Sequence, residues 1–436
     1  MKIAIIGTGY VGLVQGACFA DSGNDVLCMD INEGRIASLQ QGVLPIFEPG
    51  LEELVRLNVR EGRLRFTTSL QTAVEESELI FLCLPTPPGK DGAADLHNIL
   101  TVAEQIATLA NAPKLLISKS TVPVGTCEKI KQIVDRKARF EIDVVANPEF
   151  LKEGTAVDDT LKPDRIIIGS RNPRSISVLT ELYAPFVRTG APILVMDERS
   201  AEMVKYAANA FLATKISFIN EIANLCERVG ADVELVRKGI GVDPRIGPLF
   251  LFPGIGFGGS CLPKDIKALR STAAEHQYDF KILAAVEEVN ERQKRVLVQK
   301  LKNHFDGQLR GKTIALWGLS FKPRTDDIRE APALSIIKDL LDEGATVRAH
   351  DPVAIPAARA LFSTAVDFCE NNYEALNGAD ALLIVTEWNE FRRPDFDRMK
   401  SLMKQPVVFD GRNIYDPKSM KEKGFVYYGI GRGGVL

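Results

Sequence analysis

The chain has 436 residues, 45% of them hydrophobic and 25% charged, and its formal net charge is -3. That length exceeds one ordinary domain, and the composition is that of a soluble globular protein rather than a disordered or fibrous one. So small a net charge gives no reason to expect nucleic acid or an anionic membrane as partner, so any anionic ligand must be held by local groups.

The seven cysteines (Cys18, Cys28, Cys83, Cys127, Cys226, Cys261 and Cys369) include no CxxC pair, and the four histidines are far apart in sequence. Free thiols in a reducing compartment are therefore expected, with no disulfide frame and no metal. The start of the chain lacks a charged leader with an apolar stretch and cleavage site, and no apolar run is long enough to span a bilayer. A cytoplasmic protein is expected.

In chain order, Ile3 to Ile6 reads as a short buried strand, followed by Gly7-Thr8-Gly9-Tyr10-Val11-Gly12 and a small-residue helix through Ala17, Cys18 and Ala20 to Gly23. Val26 to Met29 reads as a second strand, ending at Asp30. Strands over 79–84, 115–118 and 142–146, with helical periodicity over 99–109, predict a parallel α/β sheet. A long segment without Gly or Pro, 200–229, reads as one helix capped by Ser200 and stopped by Gly230. A shorter helix is expected over 265–274. The last third repeats the opening: Lys312 to Gly318, Ala345 to Asp351 and Ala381 to Thr386 echo the first strand and turn, the second strand with its acid, and the 79–84 strand. The fold expected is α/β, two doubly wound Rossmann-like domains joined by a central helical region with a long spine helix. The expected divisions are 1–198, 199–300 and 301–436, with the active site in the cleft between the two doubly wound domains.

Gly7, Gly9 and Gly12 have dinucleotide-binding spacing. Residues without a β-carbon let the backbone approach a pyrophosphate at a helix N-terminus. Asp30, ending the next strand, can accept from both ribose hydroxyls and would repel a 2′-phosphate, which favours NAD over NADP; Arg35 weakens that preference slightly. Cys261, in Phe257-Gly258-Gly259-Ser260-Cys261-Leu262-Pro263-Lys264-Asp265, lies before a predicted helix and three residues from Lys264. Both features favour a thiolate, which makes Cys261 a candidate nucleophile against the alternative of a small buried loop residue. Lys205 and Asn209, four apart, share a helix face, where they would either stabilise an oxyanion or form a solvated surface. Glu149 follows the 142–146 strand and is a candidate acid/base; a surface carboxylate is the alternative. Lys322 and Arg324 sit where the second copy would have its phosphate turn, and two cations there suit a diphosphate.

Taken together, the segments GTGYVG, LPTP, STVPVGT, NPEFLKEG, KYAANAF, DPRIG, GFGGSCLPKD and GLSFKPRTDDIRE, in that order, resemble the UDP-glucose/GDP-mannose dehydrogenase family from Met1 to about Arg412. The resemblance implies an N-terminal NAD domain, a central dimerisation region and a C-terminal sugar-nucleotide domain. It also implies two successive NAD-dependent oxidations at one carbon, with UDP-glucose as substrate and UDP-glucuronate as product. Cys261 matches the nucleophile that carries a thiohemiacetal and then a thioester. Lys205 would stabilise oxyanions, Glu149 and Asp265 would handle protons and water, and Asn209 and Thr121 would assist by hydrogen bond.

For NAD the resemblance implies Val11, Asp30, Arg35, Thr86, Thr121, Glu153, Lys264 and Arg329, beside Gly7, Gly9, Tyr10 and Gly12 of the turn. For the sugar nucleotide it implies Glu149, Phe150, Leu151, Lys152, Glu153, Lys205, Asn209, Phe250, Leu251, Phe252, Pro253, Gly254, Gly258 and Lys322. Arg245 matches a position reaching the neighbouring subunit's substrate, so a homodimer is expected. GDP-mannose and N-acetylated sugar nucleotides are the competing substrates; a β-hydroxyacid dehydrogenase and a non-catalytic NAD-binding protein are the competing classes.

Overall fold

The computed structural model describes residues 1–89 and 92–432. The chain forms two compact units, Met1–Ala208 with Lys267–Tyr278, and Asn209–Ile266 with the segment from Asp279 onward. Among the described residues no helix is long and apolar enough to cross a membrane.

The first unit is built on eight strands: β1 (Lys2–Ile6), β2 (Asp25–Met29), β3 (Leu64–Thr67), β4 (Leu79–Leu82), β5 (Lys114–Ser118), β6 (Ile142–Ala146), β7 (Ile166–Gly169) and β8 (Ile193–Met196). Their order is β3-β2-β1-β4-β5-β6-β7-β8. Every pairing is parallel except β6 with β7. β1 is buried on both faces because successive side chains alternate: Ile3 and Ile5 pack with Leu13, Phe19 and Phe81, whereas Ala4 and Ile6 pack with Ile80, Ile99 and Ile106. Strand order reverses between β1 and β4, so the carboxyl ends of these two strands form the crevice where a doubly wound sheet takes ligands.

The second unit carries β9 (Thr313–Trp317), β10 (Thr346–His350), β11 (Val366–Phe368), β12 (Ala381–Ile384), β13 (Val407–Asp410) and β14 (Val426–Tyr428), parallel in the order β11-β10-β9-β12-β13-β14. The expected internal repeat is present down to single bonds. Gly7 N donates to Met29 O and Gly318 N donates to His350 O, both at 2.8 Å. Ile219, Ala223, Leu297 and Leu301 from helices, with Leu251 from a loop, share one core with Ile314, Leu316 and Leu383 of this sheet.

Four helices matter below: α1 (Tyr10–Asp21), α2 (Glu198–Val229), α3 (Leu262–Glu275) and α4 (Lys281–Gln293). The spine helix α2 starts earlier than the sequence reading placed it, and Ser200 is not its cap. Asp197 is the residue that accepts from the Ser200 amide at 3.0 Å and from its hydroxyl at 2.7 Å, the pattern of an N-terminal acidic cap. α3 also starts earlier, directly after Cys261, because Pro263 in a first turn has no amide that the helix needs.

Candidate active site

At the carboxyl end of β1 the backbone turns at Gly7, whose φ is 102°, a conformation that favours glycine. A β-carbon at Gly12 would stand 1.9 Å from the Gly7 carbonyl, so that glycine lets helix and strand close up. A β-carbon at Gly9 would meet nothing within 4 Å. The turn is therefore tight on its protein side and open above Gly9, where α1 begins and its free amides can take a pyrophosphate. Asp30 Oδ2 accepts from the Thr8 amide and hydroxyl, both at 2.9 Å, and from Arg35 at 3.1 Å, while Oδ1 accepts from Asn32 N at 3.0 Å. Burial alone would raise this carboxyl; the Asn32 and Thr8 donors and Arg35 outweigh it and hold it below the ordinary aspartate value. Thr86, past β4, donates to the Thr121 carbonyl, past β5, at 2.8 Å, which brings these two predicted residues together. The residues present fit a dinucleotide.

The loop after β6 carries Glu149 to Glu153. Glu149 is buried, and its Oε1 lies 2.8 Å from Lys205 Nζ, whose side chain is buried as well. Its Oε2 accepts from the Leu151 amide at 2.6 Å. Burial pushes the Glu149 carboxyl up, but Lys205, the Leu151 amide and Lys119 together bring it below the usual glutamate value. The acid/base candidate is thus an ionised, buried carboxylate rather than a surface one, and Lys205 is not on a solvated face. The Lys205 ammonium also lies 5.4 Å from the Phe150 ring centroid, with Arg165 3.7 Å from the same ring.

Two further residues of this region escaped the sequence reading. Lys119, buried beside Glu149 in one pocket with Gln15, Arg165 and Tyr183, donates to Asn147 Oδ1 at 3.0 Å and to Tyr183 OH at 3.1 Å. Burial pushes its ammonium down to about 8, against the pull of Cys83 and Glu149. The only signal in the sequence is a lysine at the end of an apolar strand. Glu48, also buried, accepts from Gly154 N at 2.6 Å and Ala156 N at 2.7 Å, and from the Tyr10 hydroxyl. It thereby ties the loop carrying Glu149 to the glycine turn, and the Tyr10 side chain is committed to that tie.

In the second unit Cys261 is exposed at the mouth of α3, whereas the other six cysteines are buried. Its sulfur is 3.6 Å from Ser260 Oγ. Asp265, 1% exposed, accepts from Lys264 Nζ at 2.7 Å and from Asn209 Nδ2 at 2.6 Å. Lys264 therefore shares its charge with Asp265 as well as lying near the thiol in sequence. Gly258 has no room for a side chain, since a β-carbon there would stand 2.3 Å from the Glu330 carbonyl. Phe250 is held at φ 63°, and Arg237 stacks over the Phe252 ring at 4.7 Å. Arg329 is paired with Asp327 at 2.7 Å, and its carbonyl accepts from Gly259 N at 2.8 Å. Lys322 lies 5.3 Å from the Phe321 ring centroid. Arg245 points outward, 88% exposed, and pairs with Asp243. Among the described residues no cluster of His, Cys, Asp or Glu is arranged to hold a metal ion.

The chain matches three models of the UDP-glucose/GDP-mannose dehydrogenase family: the NAD binding domain over residues 1–187, the central domain over 199–292 and the UDP binding domain over 315–417. It is 49% identical to UDP-glucose 6-dehydrogenase of Pseudomonas aeruginosa, covering 99% of this chain and 98% of that protein. It is also 49% identical to UDP-glucose 6-dehydrogenase TuaD of Bacillus subtilis, covering 100% of this chain and 94% of that one. Among solved structures, a UDP-glucose dehydrogenase from the archaeon Pyrobaculum islandicum superimposes with a TM-score of 0.92 at 38% identity, over 100% of this chain and 98% of the other.

Proposed function

This chain belongs to the UDP-glucose/GDP-mannose dehydrogenase family, and on that premise we propose that it is an NAD-dependent UDP-glucose 6-dehydrogenase working through a Cys261 thioester. The observation that carries the covalent part is the contrast among the cysteines: one exposed thiol directly precedes a helix whose first turn carries Lys264 and Asp265, the latter held by Asn209, and six are buried in packing. NAD, when bound over the Gly9 turn, would supply the hydride acceptor for the first oxidation, and a second NAD, taking its place after the first leaves as NADH, would supply it for the second. In the first, the sugar's primary alcohol loses a hydride and a proton to become the aldehyde. The Cys261 sulfur then adds to that carbon, and its proton goes to the new hydroxyl, so the thiohemiacetal keeps a C–H bond for the second oxidation. Loss of that hydride and the hydroxyl proton leaves the thioester. Water cleaves it, returning the thiol and giving the carboxylate of UDP-glucuronate.

The residues divide this work by their environments. Lys205 neutralises oxygen charge as alkoxide and tetrahedral oxyanion form, and Glu149 holds that ammonium in one place. Asp265, held by Asn209 and Lys264, orients water for the hydrolysis. Thr86 and Thr121 lie at the carboxyl ends of β4 and β5, where the nicotinamide half of a dinucleotide would lie, and Glu149 to Glu153, Phe250 to Gly254, Gly258 and Lys322 take the sugar nucleotide. UDP-glucose is favoured over GDP-mannose by the relatives' assignments and by the UDP binding model.

The reading extends to a cytoplasmic homodimer divided at 198/199 and 300/301. Phe211, Phe218, Leu225 and Val229 recur on one face of α2 and are all more than half exposed, as are Leu235, Val242 and Leu249 nearby in sequence. So much apolar surface suits a second copy better than water. The deciding experiment is NADH formed per UDP-glucose consumed at completion. About two NADH, with UDP-glucuronate as product, supports the four-electron reaction. One NADH would mean that oxidation stops at the aldehyde and that Cys261 has another role; turnover of GDP-mannose alone would overturn the substrate.

A further inference from the structure

Between Leu251 and Gly259 the chain is neither helix nor strand, yet every residue of it except Phe252 is buried. Irregular buried backbone has no ladder to satisfy its amides and carbonyls, and each one left unpaired destabilises the fold. Here buried side-chain amides from two helices do that work. Asn220 of α2 accepts from Gly254 N at 2.8 Å, and Gln293 at the end of α4 donates to the Gly254 carbonyl at 2.7 Å. Asn290, one turn earlier on α4, accepts from Phe257 N at 2.8 Å and donates to Phe257 O at 3.0 Å. One side chain thus gives Phe257 both bonds that a neighbouring strand would give it.

The grip is reinforced by steric walls. A β-carbon at Gly256 would stand 2.8 Å from Asn290 Oδ1, and one at Gly258 would stand 2.3 Å from the Glu330 carbonyl. A slip of one residue in either direction would push a side chain into one of these walls. Past Phe257 only Gly258, Gly259 and Ser260 intervene before Cys261, and Gly259 is itself pinned by the Arg329 carbonyl at 2.8 Å. Two glycines are flexible by nature, so the reach of the thiol depends on where their ends are fixed.

We propose that Asn290 is a positioning residue for the Cys261 thiol: by holding both polar groups of Phe257 it sets where the strap delivers the sulfur. It thereby governs whether the aldehyde is captured by Cys261 or escapes. The inference rests on Cys261 being the nucleophile. A displacement of about an ångström at a reacting atom costs on the order of 100-fold in rate, whereas cofactor binding over the Gly9 turn has no part in this clamp.

The test uses the full chain with Asn290→Asp, which keeps the volume but loses the donor to the Phe257 carbonyl, and with Asn290→Ser in case the first does not fold. Three readouts separate positioning from simple destabilisation: NADH per UDP-glucose, aldehyde captured by added hydroxylamine, and the rate of Cys261 alkylation by iodoacetamide. The expected result in a folded variant is a fall of about 10- to 100-fold in acid formation, with KM for NAD within about twofold. NADH per UDP-glucose should drop from two toward one, trapped aldehyde should appear, and the alkylation rate should change severalfold. A folded variant that still yields two NADH with no trapped aldehyde overturns the proposal. Cys261→Ala, run in parallel, keeps the two failures apart. If that variant still makes acid, the nucleophile reading falls; if it makes none while the Asn290 variants partition normally, only the positioning role falls.

Discussion

At the scale of single residues, the buried charges of the first unit make the sharpest expectations. Glu149 and Lys205 form an ion pair with both side chains buried, so removing one partner strands the other. Lys205→Met should cost about 3–5 kcal/mol of stability, while the double variant Glu149→Gln with Lys205→Met should cost markedly less than the two single losses combined. Urea denaturation of the four proteins checks this, and additive losses would show the pair to be uncoupled. Lys119 obeys the opposite logic. Its partners are Asn147 and Tyr183, not a carboxylate, and burial lowers its ammonium to about 8 from 10.5. Between those values the unfolded chain binds more protons than the folded one, so stability should rise with pH across that window. Lys119→Met has no proton to lose. Its stability relative to the parent should therefore be highest near pH 7 and decline by a few kcal/mol as pH rises through 8 toward 10.5. A difference that stays flat with pH would mean that the lysine titrates in the folded chain as it does in the unfolded one, with no lowering by burial.

At the scale of elements, the two β-α-β openings show how one plan is kept for different ends. Asp30 and Asp351 end corresponding strands and both accept from the residues of the turn before them. Asp351 goes further: it also takes Ser320 N, the Ser320 hydroxyl, Val353 N, Ala354 N and the Trp388 indole, and is only 1% exposed. It has no capacity left for a ribose. Asp351→Ala should therefore destabilise the fold by several kcal/mol without changing NAD affinity, because that many buried donors lose their acceptor. Asp30→Ala should raise the Kd for NAD about tenfold at little cost in stability. Calorimetric titration with NAD beside thermal unfolding distinguishes the two; equal effects of both variants on NAD affinity would sink the distinction. The repeat itself was legible in the sequence because parallel strands buried on both faces read as unbroken apolar runs, Lys312 to Trp317 as plainly as Lys2 to Ile6. So was the setting of Cys261 at a helix start, with glycines and Lys264 in the same stretch. Glu48, Lys119 and Asn290 were not legible. Each acts on backbone or charge brought near by folding, Glu48 on amides more than a hundred residues away, and nothing local marks such a residue. The Asp197 cap is local, three residues from Ser200, and was missed because Ser200 offers a cap of the same kind beside it.

At the scale of the whole molecule, the question is whether Arg245 serves its own chain or a partner. It is exposed, held by Asp243, and in the same unit as the apolar face of α2. If that face seats a second copy, a charge there should undo the assembly: Phe218→Glu should sediment as a monomer, and its activity should fall together with that of Arg245→Ala. Mixing gives the decisive case. Arg245→Ala and Cys261→Ala are each expected to be nearly inactive alone. In a mixed dimer, a thiol-bearing subunit lacking its own arginine can receive one from the thiol-less partner, so about a quarter of all sites should recover after random exchange of equal amounts. If Arg245 acts only within its own chain, mixing restores nothing, because no subunit then has both groups. Recovery of activity on mixing, lost again when Phe218→Glu is added to both chains, would make the dimer part of the catalytic apparatus. Full activity of Phe218→Glu as a monomer would reduce the interface to a packing surface and leave Arg245 without a role in a partner's site.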